Sequence, residues 1–198
     1  KKLVKYFVVD AFTESAFKGN PAAVCLLEEG HERDDSWLQF LAAEFHLPMT
    51  SFLLPITGSD PLHPPCFLLR YICGHATLAA AHTVFSNGLI GSSDTVEFST
   101  HSGILTAKRV DDCEAKGSFF IELNFPVITT CEYSSSDLSM FAKALNGATI
   151  VDGSTKPTTT DGIMVVLSSW ESVIELQPKT DDIMKCPAKV IIVTAAAP

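Results

Sequence analysis

The sequence has no C-x-x-C pair, no basic run, no purely apolar run longer than a strand and no G-x-G-x-x-G loop. Each absence removes a class of function. Six cysteines (25, 66, 73, 113, 131 and 186) are scattered without metal-ligand spacing, which argues against a disulfide framework or a structural zinc. They are expected to be reduced and buried as small hydrophobes, Cys73 excepted. Fourteen Lys and Arg against 23 Asp and Glu leave a formal charge of -9, with no basic stripe to meet phosphates, so no nucleic-acid partner is expected. Apolar runs such as 163–167 and 190–193 are strand-sized, and the opening "KKLVKYFVVDAF" is too polar for a signal peptide. A soluble, cytoplasmic chain with no membrane partner is the expectation. Without a glycine-rich phosphate loop, no nucleotide cofactor has support, and no cofactor of any kind is expected.

What the chain has is apolar substance. Over 198 residues, 46% are hydrophobic and 19% charged, enough for a globular core burying about 70% of the unfolded surface. Residues 3–10 alternate as a strand, "FKGNP" turns the chain, and 22–27 read as a second strand pairing back on the first. In "RDDSWLQFLAAEFHLP", Asp34, Asp35 or Ser36 can cap a helix that carries Trp37, Phe40, Leu41 and Phe45 at helical spacing and ends before Pro48. Strands are expected at 51–54 and 66–71. The run "ATLAAAHTVF" (76–85) has no charge on any face, so its helix must be surrounded by protein, with Gly88 as its C-terminal cap. "DTVEFSTHSGILTAKRV" and "GSFFIELNFP" then alternate like antiparallel strands. A sheet wrapped around a central helix is the simplest α+β arrangement. After Pro126 come a helix in "SSDLSMFAKALNG", strands at 162–167 and 189–194, and short helices at 170–176 and 181–184. A domain boundary is placed near residue 128, and the segment after it is thin for a complete domain.

Chemistry concentrates in "ICGHATLAAAH", residues 72–82. A metal is disfavoured, because His75 and His82 are two turns apart and separated by about 10.5 Å along a helix, with no nearby Glu. His82 reads as a helix residue satisfied by a hydrogen bond. His75 stands in the first turn, where free N–H groups and the positive helix end attract an anion such as a carboxylate. Gly74 would let a ligand approach the backbone, and Cys73 or His75 could move a proton at an adjacent carbon. An ordinary strand-to-helix turn remains the plain alternative.

"VVDAFTESAFKGNPAAVCLL" followed by "CGHATLAAAH" resembles the amino-terminal half of the PhzF-like proteins, the phenazine-biosynthesis family with the diaminopimelate epimerase fold. The likeness continues through "FPVITT", "VVLSSWESVIELQP" and "VIIVTAAAP". It implies two similar halves, each a curved, mostly antiparallel sheet around a central helix, with a cleft between them. On that scheme residues 1–128 are the first half, with central helix 75–88, and 129–198 begin a second half that is expected to be incomplete. The resemblance implies a homodimeric, cofactor-independent isomerase that shuttles a proton on a small carboxylate-bearing metabolite. His75 falls on the motif histidine and Cys73 on the catalytic thiol of the epimerases. Gly74, Ala76, Asn20 and Asp10 fall on positions bordering the substrate, though a turn-forming role for Asp10 and Asn20 fits equally.

Three departures from the family pattern stand out. Met49, in "HLPMTSF", occupies the place of the general acid/base glutamate, and Glu44, the nearest carboxylate, reads as a solvent-facing helix charge. A segment with "F-T-P" is missing between "CFLLRY" and "ICGHAT". The second-half motif "E-D-x-x-T-G-S-A" has no counterpart. A catalytically inactive metabolite- or protein-binding member of the family is therefore the rival reading. Amino-acid racemisation is a third, needing two opposed acid/base groups of which only Cys73 is visible.

Overall fold

The computed structural model describes residues 3–28, 33–56, 63–70, 74–101, 103–113, 115, 117–127, 129–132, 138–155, 162–188 and 190–197. The chain forms two compact units, dividing after Phe125. The first holds a seven-stranded mixed sheet in sequential order: β1 (Lys5–Ala11), β2 (Asn20–Leu26), β3 (Met49–Ile56), β4 (Cys66–Arg70), β5 (Thr95–Thr100), β6 (Gly103–Asp111) and β7 (Phe119–Asn124). Helix α1 (Asp35–Phe45) links β2 to β3, and α2 (Gly74–Ser86) links β4 to β5, each joining a parallel pair. The other four pairings are antiparallel, the β1–β2 hairpin included.

Strand direction explains where the helices lie. β4 runs opposite to β2 while the sheet grows the same way, so two crossovers of one hand must place their helices on opposite faces. Alternation then divides the strands between two cores. Val24 and Leu53 join Phe67, Leu69, Val96, Phe98, Leu105 and Ala107 around α2, whereas Cys25 and Phe52 meet Leu38 of α1. Both edge strands, β1 and β7, reach α2, so the sheet curls about that helix. Nine of its residues are buried, Ala76, Ala79, Ala80, Ala81 and Val84 completely, as its lack of charge demands.

Capping residues set the helix limits. The Asp34 carboxylate accepts from Trp37 N–H at 2.7 Å, selecting among the three capping residues offered by the sequence. Helix α2 spans Gly74–Ser86, where the sequence suggested 75–88. It stops early because Gly88 turns left-handed (φ 61°), with its N–H bonded to Phe85 O and that of Leu89 to Val84 O.

The second unit contains a four-stranded sheet ordered β11 (Val190–Thr194), β10 (Gly162–Leu167), β9 (Ile150–Thr155), β8 (Cys131–Glu132). Helices α3 (Leu138–Ala144), α4 (Trp170–Ile174) and α5 (Thr180–Ile183) accompany it. β10 pairs parallel to β11 and antiparallel to β9. No described helix is long and apolar enough to cross a membrane.

Candidate active site

One end of the curled sheet gathers the residues singled out in the sequence. β2 starts at Asn20 and β3 at Met49, with Ala22 opposite Met49. Two residues on, Ser51 Oγ donates a buried hydrogen bond of 3.2 Å to Ala76 O, pinning the first turn of α2 to β3. Asn20, Met49, Gly74, His75 and Ala76 therefore belong to a single end of the first unit. Sequence reasoning missed Ser51, whose only signal was one of two hydroxyls, beside that of Thr50, in an otherwise apolar strand.

The start of α2 is arranged for an anion. Its first N–H groups have no partner within the helix, and no acidic residue occupies the first turn to offset the positive helix end. Gly74 is exposed, and a Cβ built on it meets no atom within 4 Å. The next residue, His75, is 8% exposed with Nε2 buried. Ala76 is fully buried and its carbonyl is bonded to Ser51, which leaves its N–H as the group it can offer a ligand. The Thr77 hydroxyl is buried without a hydrogen-bond partner among the described residues. Cys73 lies outside the described residues.

Asn20 and Asp10 separate. Ala11 pairs with Asn20 and Val9 with Ala22, so Asn20 shares the α2 face with Val9 and Ala22, and Asp10 points to the other. Asp10 Oδ2 accepts the Gly19 N–H at 3.3 Å, closing the loop between β1 and β2. A Cβ on Gly19 would stand 2.2 Å from Ala11 O and 2.6 Å from Asp10 Oδ1, so only glycine fits. Gly19→Ala is expected to cost about 1–3 kcal/mol by overpacking this turn. Urea denaturation measures it, and an alanine variant as stable as its parent contradicts the turn assignment.

Met49 packs at the margin of the α2 core, and Glu44 is exposed. His82 lies on the exposed side, hydrogen-bonded to Ser86 Oγ at 3.3 Å and stacked on Phe119 at 5.6 Å. Partial burial there lowers its pKa. The expectation that most of the cysteines are buried is corrected among the five described. Only Cys25 is buried, its thiol pushed up to about 12 by burial, while Cys66 and Cys186 are half-buried and Cys113 and Cys131 exposed. Cys25 faces the α1 core by strand alternation, whereas Cys113 stands in the turn after β6 and Cys131 in the short β8, both outside the two cores of the first unit. No group of three or more potential ligands able to hold a metal occurs among the described residues.

Comparison with known proteins gives this end of the sheet a context. The sequence profile of the phenazine biosynthesis-like (PhzC-PhzF) proteins matches residues 9–198. An uncharacterized isomerase of Halalkalibacterium halodurans is 43% identical over 128 residues, covering 61% of this chain and 42% of that protein. Phenazine biosynthesis-like domain-containing protein 1 of Mus musculus is 37% identical over 171 residues, covering 82% and 56%. The chain thus spans about half the length of these curated relatives. The crystal structure of a PhzF-family protein of Enterococcus faecalis superposes with a TM-score of 0.73 at 28% identity, over 96% of this chain and 67% of that one. With a profile match across nearly its whole length and the same curled α+β fold, the chain belongs to the phenazine biosynthesis-like family.

Proposed function

We propose that residues 1–125 are the first of two halves of an isomerase that moves a proton, without a cofactor, on a small carboxylate-bearing metabolite. The observation carrying this reading is the start of α2, where an uncompensated positive helix end, open space over Gly74 and the imidazole of His75 occur in consecutive residues. The N–H groups of the first turn receive the substrate carboxylate, and Asn20 adds a hydrogen bond from the neighbouring strand. His75 exchanges a proton with the carbon next to the carboxylate, and Cys73 is its partner acid/base. Asp10 holds the turn that presents Asn20. A relative named as an isomerase supports this class of reaction, and a cytoplasmic homodimer belongs to the same reading.

The test is incubation of the protein in deuterium oxide with a panel of small carboxylic acids, followed by proton NMR. Loss of the signal from the carbon next to the carboxylate is expected for the true substrate class. A specific observation favours a second reading, a binding member without catalysis: Met49 cannot carry the proton that a glutamate would. In that case an acid raises the melting temperature while its carbon-bound proton stays in place.

A further inference from the structure

The outer face of β3, opposite the α2 site, carries a cavity of about 260 Å³ between that strand and the end of α1. Gln39, Ala42 and Ala43 of α1, Leu47 beyond it, and Met49 and Thr50 of β3 line it. Thr50 is 6% exposed, and its Oγ1 has no hydrogen-bond partner among the described residues. A buried hydroxyl without a partner is destabilising, so a group supplied from the cavity would be held there. Strand alternation sends Thr50 to the α1 side, as it sends Phe52 against Leu38.

The charge of that group follows from the helix end. α1 terminates at the cavity with its last carbonyls directed beyond the final turn, and no basic side chain stands in that turn to offset its negative end. His46 caps the helix in a left-handed conformation and uses its N–H on Ala43 O. The two faces of one strand thus meet helix ends of opposite sign: the start of α2 inside and the end of α1 outside. Apart from Thr50 and the Gln39 amide, the side chains lining it are apolar. We propose that this cavity is a second binding site, separate from the α2 site, for a small primary ammonium compound with a short apolar tail. Thr50 Oγ1 accepts a hydrogen bond from the ammonium.

n-Butylammonium chloride is the probe, with n-butanol and sodium butyrate as neutral and anionic counterparts of the same shape. Titrated into the protein, it is expected to shift the amide resonances of Ala42, Ala43 and Thr50 saturably, and more tightly than either counterpart. Thr50→Val keeps the shape and removes the acceptor, so it should melt no lower than the parent and bind about tenfold more weakly or worse. Thr50→Ser should keep binding. Ala43→Met, which fills the cavity from the helix side and leaves the hydroxyl in place, should abolish it. The proposal is overturned if no saturable shift occurs, if butanol or butyrate binds equally well, or if Thr50→Val or Ala43→Met binds like the parent. It is also overturned if Thr50→Val melts several degrees lower, since the hydroxyl would then serve the fold.

Discussion

In a His75→Gln chain, deuterium exchange into the substrate is expected to fall by ~10²–10⁴-fold, the usual contribution of a positioned acid/base group. Glutamine preserves much of the size and hydrogen-bonding capacity of histidine but cannot accept and release a proton near neutral pH. The substitution therefore separates proton transfer from packing, which matters because His75 is 8% exposed and borders the core. On the proposed reading the carboxylate is held by backbone N–H groups of the first turn, so substrate affinity, read from the melting-temperature shift, should change little. A variant that exchanges at the parental rate removes His75 from the mechanism. A variant that loses both exchange and binding makes it a positioning residue for the start of α2.

Phe98→Ala is expected to cost about 3–5 kcal/mol, a large share of the ~5–15 kcal/mol that holds a domain together. Phe98 is completely buried, stands beside Phe67 and Leu105 in register, and belongs to the cluster around α2. The cluster it belongs to is closely packed and fully buried around it, so removing the ring leaves a cavity and its penalty should appear. In urea the midpoint should drop while the slope stays constant, the sign of lost stability without a changed unfolding transition. Phe120, 64% exposed on β7, provides the contrast, because its truncation should change stability by less than about 0.5 kcal/mol.

Much of the first unit was legible in the sequence because its signals are local. The absence of charge between Ala76 and Phe85 required a buried helix, the capping run Asp34, Asp35 and Ser36 marked the start of α1, and alternation drew β5, β6 and β7. Pairing was less visible. Alternation states that a residue faces a core but not which strand lies alongside or in which direction, so the parallel contacts of β2 with β3 and β4 with β5 emerge only once both helices are in place. Strand β9 escaped detection because "IVDGST" carries Asp, Gly and Ser, poor strand formers held there by pairing with β10. At the candidate site the motif histidine was readable, as was the small-residue helix. The link from Ser51 to Ala76 spans 25 positions and has no sequence pattern. Asp10 was ambiguous for a different reason: a carboxylate that closes a turn and one that binds a substrate look alike until the face of the strand is known.

The way the sheet curls around α2 also has a consequence for synthesis. The helix touches both β1 and β7, the first and last strands of its unit, so it cannot be fully enclosed until Asn124 has left the ribosome. At ~5–20 residues per second, an uncharged helix destined for burial waits several seconds for its outer wall after its own residues have emerged. During that interval the nascent chain presents the alanine face of α2 and the unpaired edge of β5, which makes this the stage at which chaperones have most to shield. Slower translation of the stretch between Ser86 and Phe119 would prolong that exposure, and faster translation would shorten it.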